Sequence, residues 1–199
     1  MVTFALMTDR HRRDEIAAHV RSILLLAGID VDGDPEIRET PDRVAELLLD
    51  LTSGQGSPER PTVLPDAASG RGLVIARSLP FHSLCAHHLL PFFGHAHIGY
   101  VPGSGVVGIG TLGRVLDHFA RRPQLQERLG EQVAEYLERE AGASGVIVVL
   151  EARQLCMEMR GGKKPGLIAS TAARGELSAG ETRREFFLRI AARDAAVAE

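Results

Sequence analysis

The sequence predicts an α+β domain preceded by a helical N-terminal region, and three observations favour this fold class. Apolar residues recur at helical spacing early in the chain and at every second position in several later segments. Too few helices connect the expected strands to build a parallel sheet, which needs a crossover between neighbouring strands. The 199 residues are 44% hydrophobic and 25% charged, which is typical of an ordinary globular domain.

Two helices are expected in the N-terminal region. Residues 14–27 carry apolar side chains at helical spacing and are followed by Gly28, a residue that suits a left-handed C-terminal cap. The second helix is predicted to begin with Thr40 as its N-cap and Pro41 at its first helical position. Apolar residues at helical spacing continue from there to Leu51.

Glycine, proline, serine and aspartate are frequent in the segment that follows, at 55–72, which predicts a connecting loop. The change of composition divides the chain into three parts. They are an N-terminal helical region at 1–54, the connecting loop, and the main domain at 73–199.

Strands and helices follow one another in the main domain. Alternating apolar residues predict strands at 72–78 and 92–101, and the second strand places Phe92, Ala96 and Ile98 on one face. The remaining expected elements are two helices within 112–140 separated at Pro123, a buried strand at 145–152, a strand at 155–159 and a closing helix at 181–192.

Composition and charge exclude several classes of protein. The longest apolar runs fall far short of the roughly 20 residues that span a bilayer, so we expect a cytoplasmic protein without a membrane partner. With 23 basic and 26 acidic residues and no tryptophan, the chain lacks the positive field and stacking side chains of a nucleic-acid-binding protein. A domain of this size does not need disulfides, which leaves the two cysteines available for chemistry.

A metal site is the most specific prediction from the residues. Cys85 and His88 are three positions apart, close enough to bind one ion from a single tight turn, and Cys156 could supply a second thiolate. Three protein ligands with an open fourth position are typical of catalytic zinc. Two alternatives stay open at this point: a buried cysteine beside surface histidines, and a disulfide between the cysteines, which a reducing cytoplasm disfavours.

Two thiolates would neutralise the charge of a zinc ion and acidify a bound water less than three histidines do. Proton transfer by neighbouring groups then matters more. His87, adjacent to the expected ligand His88, is the candidate general acid or base. The alternative is a solvated turn histidine, and we expect His82, His95 and His97 to be structural or surface residues.

The residues 108–113 match the pattern Gly-x-Gly-x-x-Gly, but the parallel-strand context of a dinucleotide-binding motif is missing. A glycine-rich helix N-terminus with Arg114 in its first turn remains a candidate phosphate site, and a simple tight turn is the alternative. A buried Glu127 could accept two N–H donors from the edge of a base, although a first-turn glutamate is normally solvated. A basic loop at 159–164 could hold an anion beside the metal.

Four segments resemble the GTP cyclohydrolase I family and occur in the family's order. They are Glu-Thr-Pro-Asp-Arg-Val-Ala at 39–45, Ser-Leu-Cys-Ala-His-His-Leu-Leu-Pro-Phe at 83–92, Arg-Arg-Pro-Gln-Leu-Gln-Glu-Arg-Leu at 121–129 and Leu-Cys-Met-Glu-Met-Arg-Gly at 155–161. The resemblance covers most of residues 39–190.

The resemblance implies a tunnelling fold (T-fold), an antiparallel sheet with two helices on one face, whose subunits join into a homo-oligomer, a toroidal decamer with active sites between subunits. It implies Zn²⁺ bound by Cys85, His88 and Cys156, with a guanine-type purine nucleotide as substrate. By the same resemblance, Glu127 and Gln126 would bind the pyrimidine edge of guanine, and Arg114 and Arg160 would bind the triphosphate. In the family, water adds to C8, the imidazole ring opens to a formamide, formate leaves, and ribose rearrangement gives dihydroneopterin triphosphate.

Three departures from the family pattern suggest altered chemistry. Gln154 stands where the family has a proton-transferring histidine, and an amide cannot exchange a proton near neutral pH. Ala86 replaces a glutamate, and Ile109, Gly110 and Thr111 replace a Leu-Ser-Lys segment that supplies a hydroxyl and a cation near the substrate.

These departures leave several functions open. We expect a zinc-dependent hydrolase that opens the imidazole ring of a guanine nucleotide, stopping at the formamidopyrimidine or acting on a variant purine nucleotide. The alternatives are a complete GTP cyclohydrolase I that makes 7,8-dihydroneopterin triphosphate and a non-catalytic protein that binds a nucleotide or pterin.

Overall fold

The computed structural model describes residues 8–64 and 72–192, and the chain divides into two compact units at 1–53 and 54–199. The three predicted parts of the chain, at 1–54, 55–72 and 73–199, each lie partly outside the described residues.

The first unit contains the two expected helices, α1 (Asp9–Leu26) and α2 (Thr40–Leu51). Helix α1 begins after Thr8, whose hydroxyl accepts a hydrogen bond from the backbone of His11. The prediction of Thr40 as N-cap is wrong by one residue. The N-cap is Glu39, whose carboxylate accepts a hydrogen bond from Arg43 at 2.6 Å and so favours a helix that already includes Thr40.

The second unit contains a five-stranded sheet, a two-stranded sheet and four helices within the described residues. In chain order its elements are β1 (Val63–Leu64), β2 (Val74–Cys85), β3 (Pro91–Val101), β4 (Val106–Val107), α3 (Ile109–Ala120), β5 (Pro123–Gln124), α4 (Gln126–Ala141), β6 (Gly145–Gln154), α5 (Leu155–Glu158), β7 (Leu167–Gly175) and α6 (Gly180–Ala191).

The main sheet has the strand order β5-β2-β3-β6-β7. All neighbours are antiparallel except β5, which adds two residues in parallel to the end of β2. Strands β1 and β4 pair separately, so the glycine-rich segment before α3 does not connect two parallel strands of one sheet. This agrees with the exclusion of a dinucleotide-binding motif.

Helices α3 and α4 pack on one face of the sheet, as predicted for a T-fold. Alternate residues of β3 point into this core, among them Phe92, Ala96, Ile98 and Tyr100, and each is at most 1% exposed. They meet apolar side chains of α3 and α4, such as Leu116 and Leu129. The chain therefore has the T-fold, an α+β arrangement with an antiparallel sheet and two helices on one face.

The closing helix α6 packs on the opposite face of the sheet. Its Phe186 is fully buried in a second cluster with Val101 and Ile147. Gly99 makes room for this ring, because a Cβ atom at that position would lie 2.6 Å from Phe186 Cδ2.

Two elements near the C-terminal end of the sheet differ from the prediction. The expected strand at 155–159 is wrong, because β6 ends at Gln154 and the chain then forms one helical turn, closed by a hydrogen bond from Met159 N to Leu155 O of 2.9 Å. Strand β7 was not predicted, because its sequence consists mainly of small residues without a long apolar alternation. Pairing with β6 along its whole length makes it a strand.

None of the helices in residues 8–64 and 72–192 combines the length and the apolar character that a bilayer span requires.

Candidate metal centre and nucleotide site

A tight turn between β2 and β3 presents the first two predicted ligands. Strand β2 ends at Cys85, and the backbone N–H of Cys85 donates to Leu90 O at 2.8 Å across the turn. Leu89 N donates back to Cys85 O at 2.8 Å, and Leu89 adopts a left-handed conformation with φ 54°. This compact turn places His88 beside the buried Cys85.

The third predicted ligand arrives from the far end of β6. Gln154, the last residue of β6, pairs with Phe92 at the start of β3, so the chain leaves the sheet next to the Cys85 turn. Cys156 follows in α5, a helical turn and not the strand expected from the sequence. The ligand atoms of Cys85, His88 and Cys156 all lie within 4.8 Å of one another.

The chemistry of these three side chains fits a zinc ion. Tetrahedral zinc with bonds of about 2.0–2.3 Å holds its ligand atoms roughly 3.5–3.8 Å apart, and Cys85 Sγ lies 3.8 Å from His88 Nδ1. Both cysteines are free thiols. The three ligand atoms, all within 4.8 Å of one another, are therefore close enough to share one ion.

The electrostatics of the group also fit a cation. Burial raises the pKa of the Cys156 thiol, and the adjacent Cys85 thiol raises it further, so two thiolates are unfavourable here without a positive charge. Burial lowers the pKa of His88, and the charges of Arg160 and His87 lower it further. The imidazole is therefore held in the neutral form that binds metals.

Two further predicted residues surround His88. Arg160 Nη1 lies 2.5 Å from His88 Nε2, the ring nitrogen on the far side from the Cys85 contact. His87 is exposed, and its ring meets the His88 ring edge-on at 6.0 Å. The Arg160 guanidinium and the His87 imidazole thus lie at the edge of the metal group, by which we mean the ligand atoms of Cys85, His88 and Cys156. Each can reach a molecule bound there.

Gln126 and Gln154 form a hydrogen-bonded pair beside this group. Gln126 is only 3% exposed, and its Nε2 donates to Leu150 O at 3.0 Å and to Ile168 O at 2.8 Å. These two carbonyls fix which end of the amide is nitrogen. Gln126 Oε1 therefore faces Gln154 and accepts a hydrogen bond from its Nε2 at 2.7 Å.

Glu127 follows Gln126 in the first turn of α4 and is exposed. The exposed side chain corresponds to the solvated first-turn carboxylate, and the alternative of a buried Glu127 is not found. Glu127 is thus an accessible hydrogen-bond acceptor one residue from the amide pair.

The glycine-rich segment gives an ordered position to Arg114. Ile109 is 94% exposed, whereas Thr111 is 2% exposed and its hydroxyl accepts a hydrogen bond from Arg114 Nη2 at 3.1 Å. Gly110 adjoins the same guanidinium, because a Cβ atom there would lie 3.0 Å from Arg114 Nη1. Gly110 and Thr111 thus fold the Arg114 side chain back over the N-terminus of α3.

The two groups of predicted site residues lie at opposite ends of α3. Ser83 Oγ donates to Ala120 O at 2.6 Å, which fixes the C-terminal end of α3 beside the strand that carries Cys85. Arg114 is the sixth of the 12 residues of α3 and so lies in the second turn, not in the first turn as expected, but its guanidinium points back to Thr111 and Gly110 near the N-terminus.

Comparison with known proteins finds similarity to one family along most of the chain. The family model for GTP cyclohydrolase I matches residues 16–191. GTP cyclohydrolase 1 from Corynebacterium glutamicum is 43% identical over 165 residues, 80% of this chain and 83% of the relative. The enzyme of the same name from Campylobacter lari is 44% identical over 171 residues, 81% of this chain and 90% of the relative.

The chain belongs to the GTP cyclohydrolase I family. A further relative, GTP cyclohydrolase 1 from Dehalococcoides mccartyi, is 41% identical over 179 residues, 88% of this chain and 94% of the relative. The resemblance seen in the sequence is thus confirmed, and the chain is an enzyme of the GTP cyclohydrolase I type.

One solved structure is also similar, the archaeosine synthase QueF-Like in its apo form. It is 16% identical, covers 52% of this chain and 96% of its own, and superposes with a TM-score of 0.41.

In this member of the GTP cyclohydrolase I family, one pair of site-adjacent residues was missed by the sequence analysis. Arg153 Nε and Nη2 donate to the two carboxylate oxygens of Glu158 at 2.9 and 2.5 Å. The only sequence signal is a pair of opposite charges five residues apart. A continued strand at 155–159 gives no reason for these side chains to meet, whereas the turn of α5 brings them together.

Proposed function

We propose that this enzyme opens the imidazole ring of a guanine nucleotide, with a zinc ion bound by Cys85, His88 and Cys156. The observation that carries the proposal is the convergence of these three ligand atoms within 4.8 Å. Zinc bound there would supply Lewis acidity for the addition of water to C8 of the base. The thiol ligands need a reducing compartment, which favours the cytoplasm.

His87 is the proposed proton donor and acceptor for ring opening. Its imidazole is exposed and adjoins His88, so it can reach a molecule bound at the metal group. Water adds to C8, the bond between C8 and N9 breaks, and N9 takes up a proton. The product is a formamide that is one water heavier than the nucleotide.

Glu127 and the amide pair provide the proposed contacts to the base. The exposed Glu127 carboxylate can accept two N–H donors from the pyrimidine edge of guanine. Gln126 has both ends of its amide bonded within the protein, so it would act by holding Gln154 in place. Gln154 keeps its carbonyl oxygen as an acceptor for the substrate.

The nature of Gln154 supports a reaction that ends at the formamidopyrimidine. Release of formate and rearrangement of the ribose need further proton transfers, and an amide neither gives nor takes a proton near neutral pH. Its hydrogen bond to Gln126 orients the side chain without supplying that function. We therefore place the end of the reaction after ring opening.

Arg160 and Arg114 are the proposed phosphate ligands, together with the segment Ile109, Gly110 and Thr111. Thr111 is buried and contributes by fixing Arg114. In one chain the Arg114 guanidinium lies near the N-terminal end of α3, whereas the strand that carries Cys85 contacts the C-terminal end, and we propose that a second copy brings its own Arg114 to the metal site. This supports a homo-oligomer, the decamer of the family, with active sites between subunits.

The edges of the main sheet support the same assembly. Among the described residues, β7 has a neighbouring strand on one side only, and β5 covers β2 only at Leu84 and Cys85. Long edges with unpaired backbone groups favour pairing with the sheet of another copy.

The proposed reaction is tested by incubating the zinc-loaded enzyme with GTP, GMP and guanosine. Formate release, pterin fluorescence and product mass are followed together. We expect a product one water heavier than the substrate, without formate or pterin. Conversion of GTP to dihydroneopterin triphosphate at ordinary family rates would contradict the early end of the reaction, and tight binding without turnover would contradict catalysis.

The same experiment decides a second candidate, a substrate with fewer phosphates. Gly110 and Thr111 favour it, because they replace a hydroxyl and a cation expected near the triphosphate. Faster turnover of GMP or guanosine than of GTP would support this substrate class.

A further inference from the structure

An ion pair connects the two ends of the segment 153–158, which carries Gln154 and Cys156. Arg153 is the residue before Gln154 in β6, and Glu158 is the last residue of α5. The guanidinium binds the carboxylate through two parallel hydrogen bonds of 2.9 and 2.5 Å. Two-point contacts of this kind fix the relative orientation of both groups.

Helix α5 has little stability of its own. It has four residues, no side-chain hydrogen bond at its N-cap, and no buried residue. One turn of helix fixes many backbone angles for few hydrogen bonds and is unfavourable without outside contacts. The position of Cys156 therefore depends on what holds α5 against the sheet.

The Arg153–Glu158 pair is well placed to do this. The Glu158 side chain is only 13% exposed, so its contact with Arg153 is less screened by water than an ordinary surface pair. Arg153 also lies over the Phe93 ring at 5.9 Å, and Phe93 stacks on His82 at 5.8 Å. The guanidinium is thus fixed on the outer face of the sheet by a partner on β3.

We infer that Arg153 and Glu158 are positioning residues, which hold α5 so that Cys156 faces Cys85 and His88 and thereby raise the affinity of the enzyme for zinc. The inference rests on the proposed metal site. Neither residue is assigned a contact with metal or substrate. Their effect passes through the backbone of α5 to the Cys156 sulfur.

The test measures metal binding to the full chain. Zinc affinity is determined by competition with a chromophoric chelator, and the absorption of the Co²⁺-substituted protein reports the geometry of the two thiolates and the imidazole. We expect Glu158→Gln and Arg153→Gln each to weaken zinc binding about tenfold, the lower end of the effect of residues that orient metal ligands. The Co²⁺ spectrum should change in both.

A charge exchange and a control variant make the result specific. The double variant Arg153→Glu, Glu158→Arg should recover most of the lost affinity, because the ion pair can form again. Arg139→Gln breaks an exposed ion pair with Glu140 (2.7 Å) on α4 and should leave zinc binding unchanged. Circular dichroism of each variant without metal verifies folding. If the single variants unfold, the zinc affinity of the folded double variant is the result that tests the inference.

Three outcomes would overturn the inference. Wild-type affinity and an unchanged Co²⁺ spectrum in the single variants would show that the pair does not position Cys156. A folded double variant that fails to recover zinc binding would show that the ion pair is not the cause. Absence of zinc binding in the unaltered protein would overturn the proposed metal site as well. This outcome is distinguishable from the first two, because in those the unaltered protein binds zinc.

Discussion

Gln154 Nε2 donates a hydrogen bond of 2.7 Å to Gln126 Oε1, and Gln126 is in turn fixed by the carbonyls of Leu150 and Ile168. The acceptor that holds Gln154 is therefore rigid and buried. An imidazole at position 154 could use the same acceptor while keeping its second nitrogen for proton transfer. An imidazole at position 154 could therefore keep the hydrogen bond to Gln126 that now orients the amide.

Replacement of Gln154 by histidine should extend the reaction. In Gln154→His, a ring N–H can donate to Gln126 Oε1 and the other nitrogen can exchange protons, so formate and pterin should form from GTP. General acid–base catalysis contributes about 10²–10⁴-fold, and we expect an increase in the rate of formate release within that range. Formate and pterin fluorescence are measured against Gln154→Met, which cannot transfer protons. Equal rates in the two variants would contradict the proposed role.

Zinc affinity should rise with pH through the neutral range. The raised pKa of Cys156 means that its thiol is protonated there, so zinc must displace that proton and binds more tightly as the pH increases. His88 has a lowered pKa, so its proton is already lost and it adds no dependence at neutral and higher pH. Chelator competition across this range measures the slope, and Cys156→Ser, which leaves only one thiol to lose a proton on binding, should reduce it. A zinc affinity of the unaltered protein that does not change with pH would contradict the assignment of Cys156 as a zinc ligand.

Loss of the Thr111 hydroxyl should weaken phosphate binding selectively. Thr111→Val preserves volume but removes the acceptor for Arg114, and one hydrogen bond to a charged group contributes about 1.5–3 kcal/mol. We expect a higher KM for GTP with little change in kcat, and no change in KM for guanosine, which has no phosphate. A parallel increase for guanosine would indicate a general disturbance of the fold. Thr111→Ser, which keeps the hydroxyl, is the matched control.

Gly99→Ala should destabilise the protein, because it disturbs the packing of α6 on the outer face of the sheet. The new methyl group would lie 2.6 Å from Phe186 Cδ2 and 3.0 Å from Ile147 Cγ2. Overpacking of this kind costs about 1–3 kcal/mol. Thermal or urea unfolding should show that loss, whereas Gly113→Ala in α3, with no other atom within 4 Å of its Cβ, should not. Equal stability of the two variants would mean that α6 does not pack on this face as described.

The sequence was most informative where a pattern is local. The alternation of Phe92, Ala96, Ile98 and Tyr100 predicts the buried face of β3 correctly, because side chains of a strand alternate whatever it pairs with. The tight Cys85–His88 turn is local in the same sense. Strand β7 is not, because its small residues form a strand only through pairing with β6.

The site residues show the same difference between local patterns, which the sequence reveals, and tertiary contacts, which it does not. Cys156 was predicted as a ligand but placed in a strand, since nothing local shows that β6 ends at Gln154. The burial of Gln126 and Thr111 and the pairing of Arg153 with Glu158 depend on contacts across the fold. The type of residue at a motif position therefore predicts which chemistry is available. Whether that residue contacts the substrate or holds another residue in place depends on tertiary packing.

Binding of one zinc ion by Cys85, His88 and Cys156 together underlies every step of the proposed reaction. Its most direct test is the zinc content of the purified protein, determined by mass spectrometry of the metal against protein concentration, for the unaltered chain and for Cys156→Ser. We predict one zinc per chain in the first and a large loss in the second. A protein that purifies without zinc and does not take it up, or a Cys156→Ser variant that keeps a full complement, would contradict it.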